Sequence, residues 1–161
     1  MQLRSARSAG LLIFCITIPL VIGFIGSIVT LPEVTGWYAG LDKPAFNPPG
    51  WVFGPVWTIL YILMGIALFL VAKDGVDTEP VQKAVLVFAI QLVANLAWSF
   101  LFFGMHAIFL GLLDIVLLFF LIAATIILFR RISQPAAYLL IPYICWVCFA
   151  SLLNTMIWIL N

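Results

Sequence analysis

Five long apolar runs, separated by short polar segments, dominate the chain. The first extends from about Ser8 to Leu31 without a charge. The second uncharged run begins at Pro44, with its helix expected from about Trp51 to Ala72. Lys73, Asp74, Asp77 and Glu79 then form a polar connection, with Gly75 and Pro80 as helix breakers. The third run covers about Val81–Phe103, and Gly104, Met105 and His106 make a tight turn into the fourth, about Ala107–Phe129. Arg130, Arg131, Ser133 and Pro135 close that run, and the fifth spans about Ala136–Leu160. A helix crosses a hydrocarbon layer of about 30 Å with roughly 20 apolar residues, so every run is long enough. The pattern predicts an all-α integral membrane protein: one domain, residues 1–161, built as a bundle of five transmembrane helices.

Composition agrees with that pattern. Hydrophobic residues make up 66% of the 161 positions, charged residues 8%, and mean hydropathy is +1.28. Soluble domains are about 45–50% apolar and about 25% charged, so water cannot be the solvent for most of this surface. A net charge of +1 leaves no basic patch, and nucleic acid is not an expected partner. The first apolar run exceeds a signal-peptide core and no small-residue cleavage site follows it; it is read as a retained helix. With five spans, Arg4, Arg7, Lys73, Lys83, Arg130 and Arg131 fall on one side and Lys43 alone on the other. By the positive-inside rule the N-terminus is cytoplasmic and the first loop external, in a bacterial cell membrane.

Candidate chemistry is sparse. The extended loop, about 32–50, carries Trp37, Tyr38, Pro44, Phe46, Asn47, Pro48 and Pro49, with Trp51 just beyond. Together with Pro32, its prolines make it stiff. Its aromatics suit either an interfacial anchor or a lid over an opening between helices. Gln91, Asn95, Trp98 and Phe102 share one face of the third helix, and amides in hydrocarbon must point inward. Helix–helix glue is the reading this pattern alone favours; the other makes Asn95 a hydrogen-bonding group in a pocket walled by Trp98. Trp57 and Tyr61, flanked by Gly54 and Gly65, share a face of the second helix, and Tyr143, Trp146, Ala150 and Asn154 a face of the fifth. Aromatics beside small residues with a few amides suit core packing, and equally an apolar small-molecule site. Asp114 is the one acid inside a span, suited to an interior hydrogen bond or to a proton relay. His106 suits a turn, or less readily an axial haem ligand. Cys15, Cys145 and Cys148 lie in apolar runs and are read as buried small hydrophobes, not as a metal or redox site. No nucleophile–base set, phosphate loop or metal motif stands out, so no enzyme activity is indicated.

The stretches WYAGLDKPAFNPPGWVFGPVWTILYILMG (Trp37–Gly65), QLVANLAWSFLFFG (Gln91–Gly104) and PYICWVCFASLLN (Pro142–Asn154), with Asp114 between them, resemble the TspO/MBR family. These are the tryptophan-rich sensory proteins related to the mitochondrial translocator protein, the peripheral benzodiazepine receptor. The resemblance covers essentially the whole chain. It implies a five-helix bundle, often a homodimer in the lipid membrane, acting as a receptor or sensor for hydrophobic small molecules: porphyrins, haem-like tetrapyrroles, sterols. No cofactor is obligatory. It further implies a ligand site of Trp57, Tyr61, Asn95, Trp98, Trp146 and Ala150 beneath the first loop. Transport of tetrapyrroles or sterols is the alternative role, and light-dependent porphyrin degradation using Trp57 and Trp146 a second. Phe46 stands where many relatives have Trp. The terminal TMIWILN lacks the basic residue of the animal sterol motif, which argues against high-affinity cholesterol binding through it.

Overall fold

The structure, a computed structural model, describes the backbone of residues 2–161 and the side chains of residues 8–161. Arg4 and Arg7, which contribute to the charge bias, therefore have side chains outside the described residues. Helix α1 runs Gln2–Thr35, α2 Phe53–Ala72, α3 Glu79–Ser99, α4 Ile108–Ile132, α5 Gln134–Leu139 and α6 Ile141–Leu160. Single 3₁₀ turns at Trp37–Gly40 and Gly50–Val52 interrupt the first loop, and a π-helical turn, Phe100–Gly104, ends α3. Among the described residues there is no strand, and five stretches of 23 to 28 residues are long and apolar enough to cross a membrane; α5 and α6 together form the last. The protein is an all-α membrane bundle.

Burial is inverted relative to a soluble bundle. Phe14, Phe24, Val93, Phe120 and Ile127 lie exposed on the outer face, where lipid replaces water as the contacting phase. Met64, Ala67, Phe88, Leu118, Ile122, Phe129 and Val147 fill the interior. Between helices there is then little hydrophobic drive, because lipid tails are as apolar as leucine, and close packing has to supply the attraction. Glycines supply it. A side chain at Gly65 would meet the α1 backbone at Cys15 and Ile16, and one at Gly23 would meet the ring of Tyr61. Helix α1 thus lies directly against α2, while α3 packs on α4 and α4 on α6.

Helix ends differ from the expected ones for identifiable reasons. Helix α1 passes through Pro32 and stops only at Thr35, because a proline near a helix end removes one bond without forcing a stop. Helix α4 continues through Arg130 and Arg131 to Ile132; cations in a last turn favour the helix dipole. The fifth span is not one helix: regular bonding breaks at Leu140 (φ −89°, ψ −7°), and Pro142 supplies no N–H. Beyond the break the chain changes neighbours. Helix α5 packs on both α2 and α4, whereas α6 stays on α4 and does not approach α2 closely.

The turn at His106 is wider than a simple reversal. The Met105 amide donates to the Phe100 carbonyl (2.8 Å) and the Ala107 amide to that of Leu101 (3.0 Å). Phe102 and Phe103, within this widened turn, are both buried. His106 completes the reversal at φ +53°, in the left-handed region.

Replacing Gly65 with valine drives a branched side chain into the α1 backbone. We expect Gly65→Val to lose about 1–3 kcal/mol, read as a lower melting temperature in detergent. Gly10→Val, at a position with open space around it, should melt like the parent.

Candidate ligand site between the second and last helices

The interior amides are all engaged. Tyr61 Oη donates to Asn95 Oδ1 (2.7 Å), Asn95 Nδ2 donates to Tyr143 Oη (3.1 Å), and Tyr143 Oη donates to Gln91 Oε1 (3.0 Å). Gln91 Nε2 ends the ladder on Met64 Sδ at 3.8 Å. Nearer the first loop, Trp98 Nε1 donates to Asn154 Oδ1 (3.2 Å) and Asn154 Nδ2 to the Ile108 carbonyl (3.1 Å). Asn95 is 4% exposed and bonded at both ends of its amide, and so joins α2, α3 and α6. Trp98 lies stacked on Phe102 (5.1 Å between centroids), in the cluster beneath the first loop.

The open space lies to one side. Trp57 stacks on Tyr61 (5.5 Å) and meets Tyr143 edge-on (6.1 Å). Trp146, three residues further along α6, turns outward to Phe53 (5.9 Å) and Phe149 (5.5 Å). Between α2 and α6 runs an apolar groove of about 420 Å³ lined by Val56, Ile59, Leu60, Pro142, Cys145, Trp146 and Phe149. Trp146 Nε1 is shielded from solvent and has no hydrogen-bond partner among the described residues. Of the six expected site residues only Trp146 lines this groove. Trp57, Tyr61 and Ala150 are half-buried against the interior, and Asn95 and Trp98 are bonded elsewhere. Val56, Ile59 and Phe149 were not expected, since nothing sets them apart within uniformly apolar runs; Pro142, where the last span breaks, is the local signal there.

Other expectations separate in the same way. Gly54 is exposed with nothing near its Cα, so it does not share the packed face of Trp57 and Tyr61. Cys15 is buried, but Cys145 and Cys148 are exposed, because the interior side of α6 is taken by Tyr143 and Val147. Asp114 makes no interior hydrogen bond through Oδ2, which is enclosed and unpartnered among the described residues. His106 is no free axial ligand: its Nε2 lies 3.0 Å from Glu33 Oε2 and its ring stacks on Trp37 at 4.3 Å.

The first loop is held shut over the helix ends. Tyr38 Oη donates to Asn47 Oδ1 (2.8 Å), and Lys43 Nζ donates to the carbonyls of Tyr38, Ala39 and Leu41. The Asp42 amide donates to Asn161 Oδ1 (3.0 Å) while Asn161 Nδ2 donates back to the Asp42 carbonyl (3.0 Å). Phe46 reaches Phe149 edge-on (6.3 Å). Anchor and lid features therefore occur on different residues: Trp37 and Tyr38 pack inward, while Trp51 is 76% exposed. Burial pushes the Tyr38 phenol up to about 12, although the bond to Asn47 acts in the opposite direction.

The TspO/MBR family model matches residues 15–159. The chain belongs to that family. A tryptophan-rich TspO protein of Chlorobaculum tepidum is 50% identical over 150 residues, 93% of this chain and 95% of its own length. The human translocator protein is 40% identical over 136 residues, covering 84% of this chain and 80% of its own. A tryptophan-rich sensory protein of Cereibacter sphaeroides is 37% identical over 118 residues, 73% and 72% of the two chains. TspO/MBR membership and the five apolar spans agree on a multi-pass membrane protein.

Two outcomes follow. Tyr143→Phe leaves Gln91 Oε1 and Asn95 Nδ2 facing each other without the hydroxyl, at an expected cost of about 1–2 kcal/mol in thermal or denaturant unfolding. A phenol whose folded pKa is raised contributes stability below its unfolded value near pH 10, and loses it as pH climbs toward about 12. The fall in melting temperature over that window should be shallower in Tyr38→Phe than in the parent.

Proposed function

We propose that the protein is a membrane sensor that takes a flat, apolar ligand of the tetrapyrrole class in the cleft between α2 and α6. One observation carries this reading: Trp146 forms the wall of an apolar groove, and its indole N–H is enclosed without an acceptor among the described residues. An enclosed donor left unpaired costs about 1–3 kcal/mol, and a ligand carbonyl or carboxylate would recover it once the indole turns its N–H toward the groove. Phe149 and Trp146 present aromatic surface to one side of the groove, with Val56 and Leu60 opposite, the mixture typical of small-molecule sites. The names of two relatives, a sensory protein and a translocator, are consistent with ligand recognition. The charge bias supports a cytoplasmic position for the connection around Lys73 and the end of α4, and the family resemblance supports a homodimer.

Transport is the second reading, favoured by Asp114, whose Oδ2 is enclosed and unpartnered inside a span. Ligand flux into sealed vesicles that is lost in Asp114→Asn would support it; intact flux would remove the carboxyl from the mechanism.

The sensor reading is tested by titrating the protein in detergent with protoporphyrin and following tryptophan quenching. Saturable quenching is expected. Trp146→Phe keeps a ring and loses the N–H, and should weaken binding several-fold; Trp146→Ala should cost about 1–3 kcal/mol. Unchanged affinity in both variants removes the ligand from this groove.

A further inference from the structure

The molecule has two candidate ways into the groove, and they differ in what must break. The route from water passes the first loop. That loop is fastened by the reciprocal Asp42–Asn161 pair, by Glu33 on His106 with Trp37 stacked on the same ring, and by Lys43 among three carbonyls. Lifting it strips several hydrogen bonds at once. The route from the hydrocarbon passes between α2 and α6. Among the described residues no hydrogen bond joins these two helices, and their direct contacts are aromatic: Trp57 on Tyr143 and Phe53 on Trp146. At the Phe53–Trp146 end, parting the two apolar faces exposes nothing that hydrocarbon cannot cover and only packing contacts are lost, while Tyr61 and Tyr143 stay bridged through Asn95.

The seam is also built to be open at one end only. Helix α5 holds α2 on the side of Ala136 and Ala137, both buried, and the break at Leu140 and Pro142 then carries α6 away. Ile59, 58% exposed, and Cys145, also exposed, sit on the two sides of the opening. We propose that the planar ligand enters sideways from the bilayer through the α2–α6 seam while the first loop stays closed. This rests on the binding reading above and adds its direction. The ligand class is accordingly one that partitions into hydrocarbon before it binds.

Two reversible locks separate the routes, using protoporphyrin added to proteoliposomes and stopped-flow tryptophan quenching. The loop is locked by oxidising Asp42→Cys/Asn161→Cys in a Cys148→Ala background, and each lock is compared with the same variant before locking. The seam is locked in Ile59→Cys/Cys148→Ala by joining the introduced thiol to native Cys145 with a short cleavable bis-maleimide. The loop lock should leave the association rate within about twofold, and the seam lock should slow it about tenfold, with recovery on cleavage. A loop lock that slows association, or a seam lock that does not, overturns the lateral route. Absence of saturable quenching in the unlocked parent would instead overturn the binding reading itself.

Discussion

An amide inside hydrocarbon has no water to fall back on, and this constraint organises the bundle. Gln91 and Asn95 sit on one helix at i and i+4, and each must find a partner on another helix or forfeit its hydrogen bonds. The partners are the phenols of Tyr61 and Tyr143, so one ladder fixes the rotation of α2, α3 and α6 together. Apolar contacts alone leave that rotation loose, since lipid competes equally well for every leucine. Gly23 belongs to the same arrangement: without its hydrogen-only side chain the Tyr61 ring could not lie where Asn95 needs its hydroxyl.

This explains which parts of the structure were legible in sequence. Span number and position follow from run length, which any residue-by-residue reading captures. The inward direction of Gln91 and Asn95 also follows, because desolvation acts on each residue whatever its neighbours. Their partners do not. Tyr61 and Asn95 lie 34 residues apart and Tyr143 and Gln91 52 apart, and nothing local distinguishes a phenol that bonds an amide from one that faces a ligand. The aromatic face expected to line a shared cavity is accordingly divided: Tyr61 and Tyr143 close the centre, and Trp146 leaves it. The π turn and the break at Leu140 were hidden for another reason. Both are decided by packing, of Phe102 and Phe103 under the loop and of α5 on α2, against which helix propensity is a weak prior.

The two enclosed polar atoms without partners, on Trp146 and Asp114, stand out against an interior in which the other polar groups described are paired. Their positions differ in kind. Trp146 walls an open groove, although its N–H is shielded in this conformation; Asp114 does not line that groove. Open space beside an unpaired group is what a guest requires, which is why the proposed ligand site is the seam and not Asp114.

The seam itself follows from the ladder. Because Tyr143 is tied to α3 and Asn154 to the start of α4, α6 is held toward that side of the bundle along its length. Helix α2 is held to the opposite side by the Gly65 contact with α1. Helix α5, beyond the reach of these bonds, stays wedged against both α2 and α4, and the chain breaks at Leu140, where contact with α2 ends. The groove is thus the gap left on the lipid side of the Tyr61–Asn95–Tyr143 bridge, where neither the polar ladder nor close glycine packing draws α2 and α6 together.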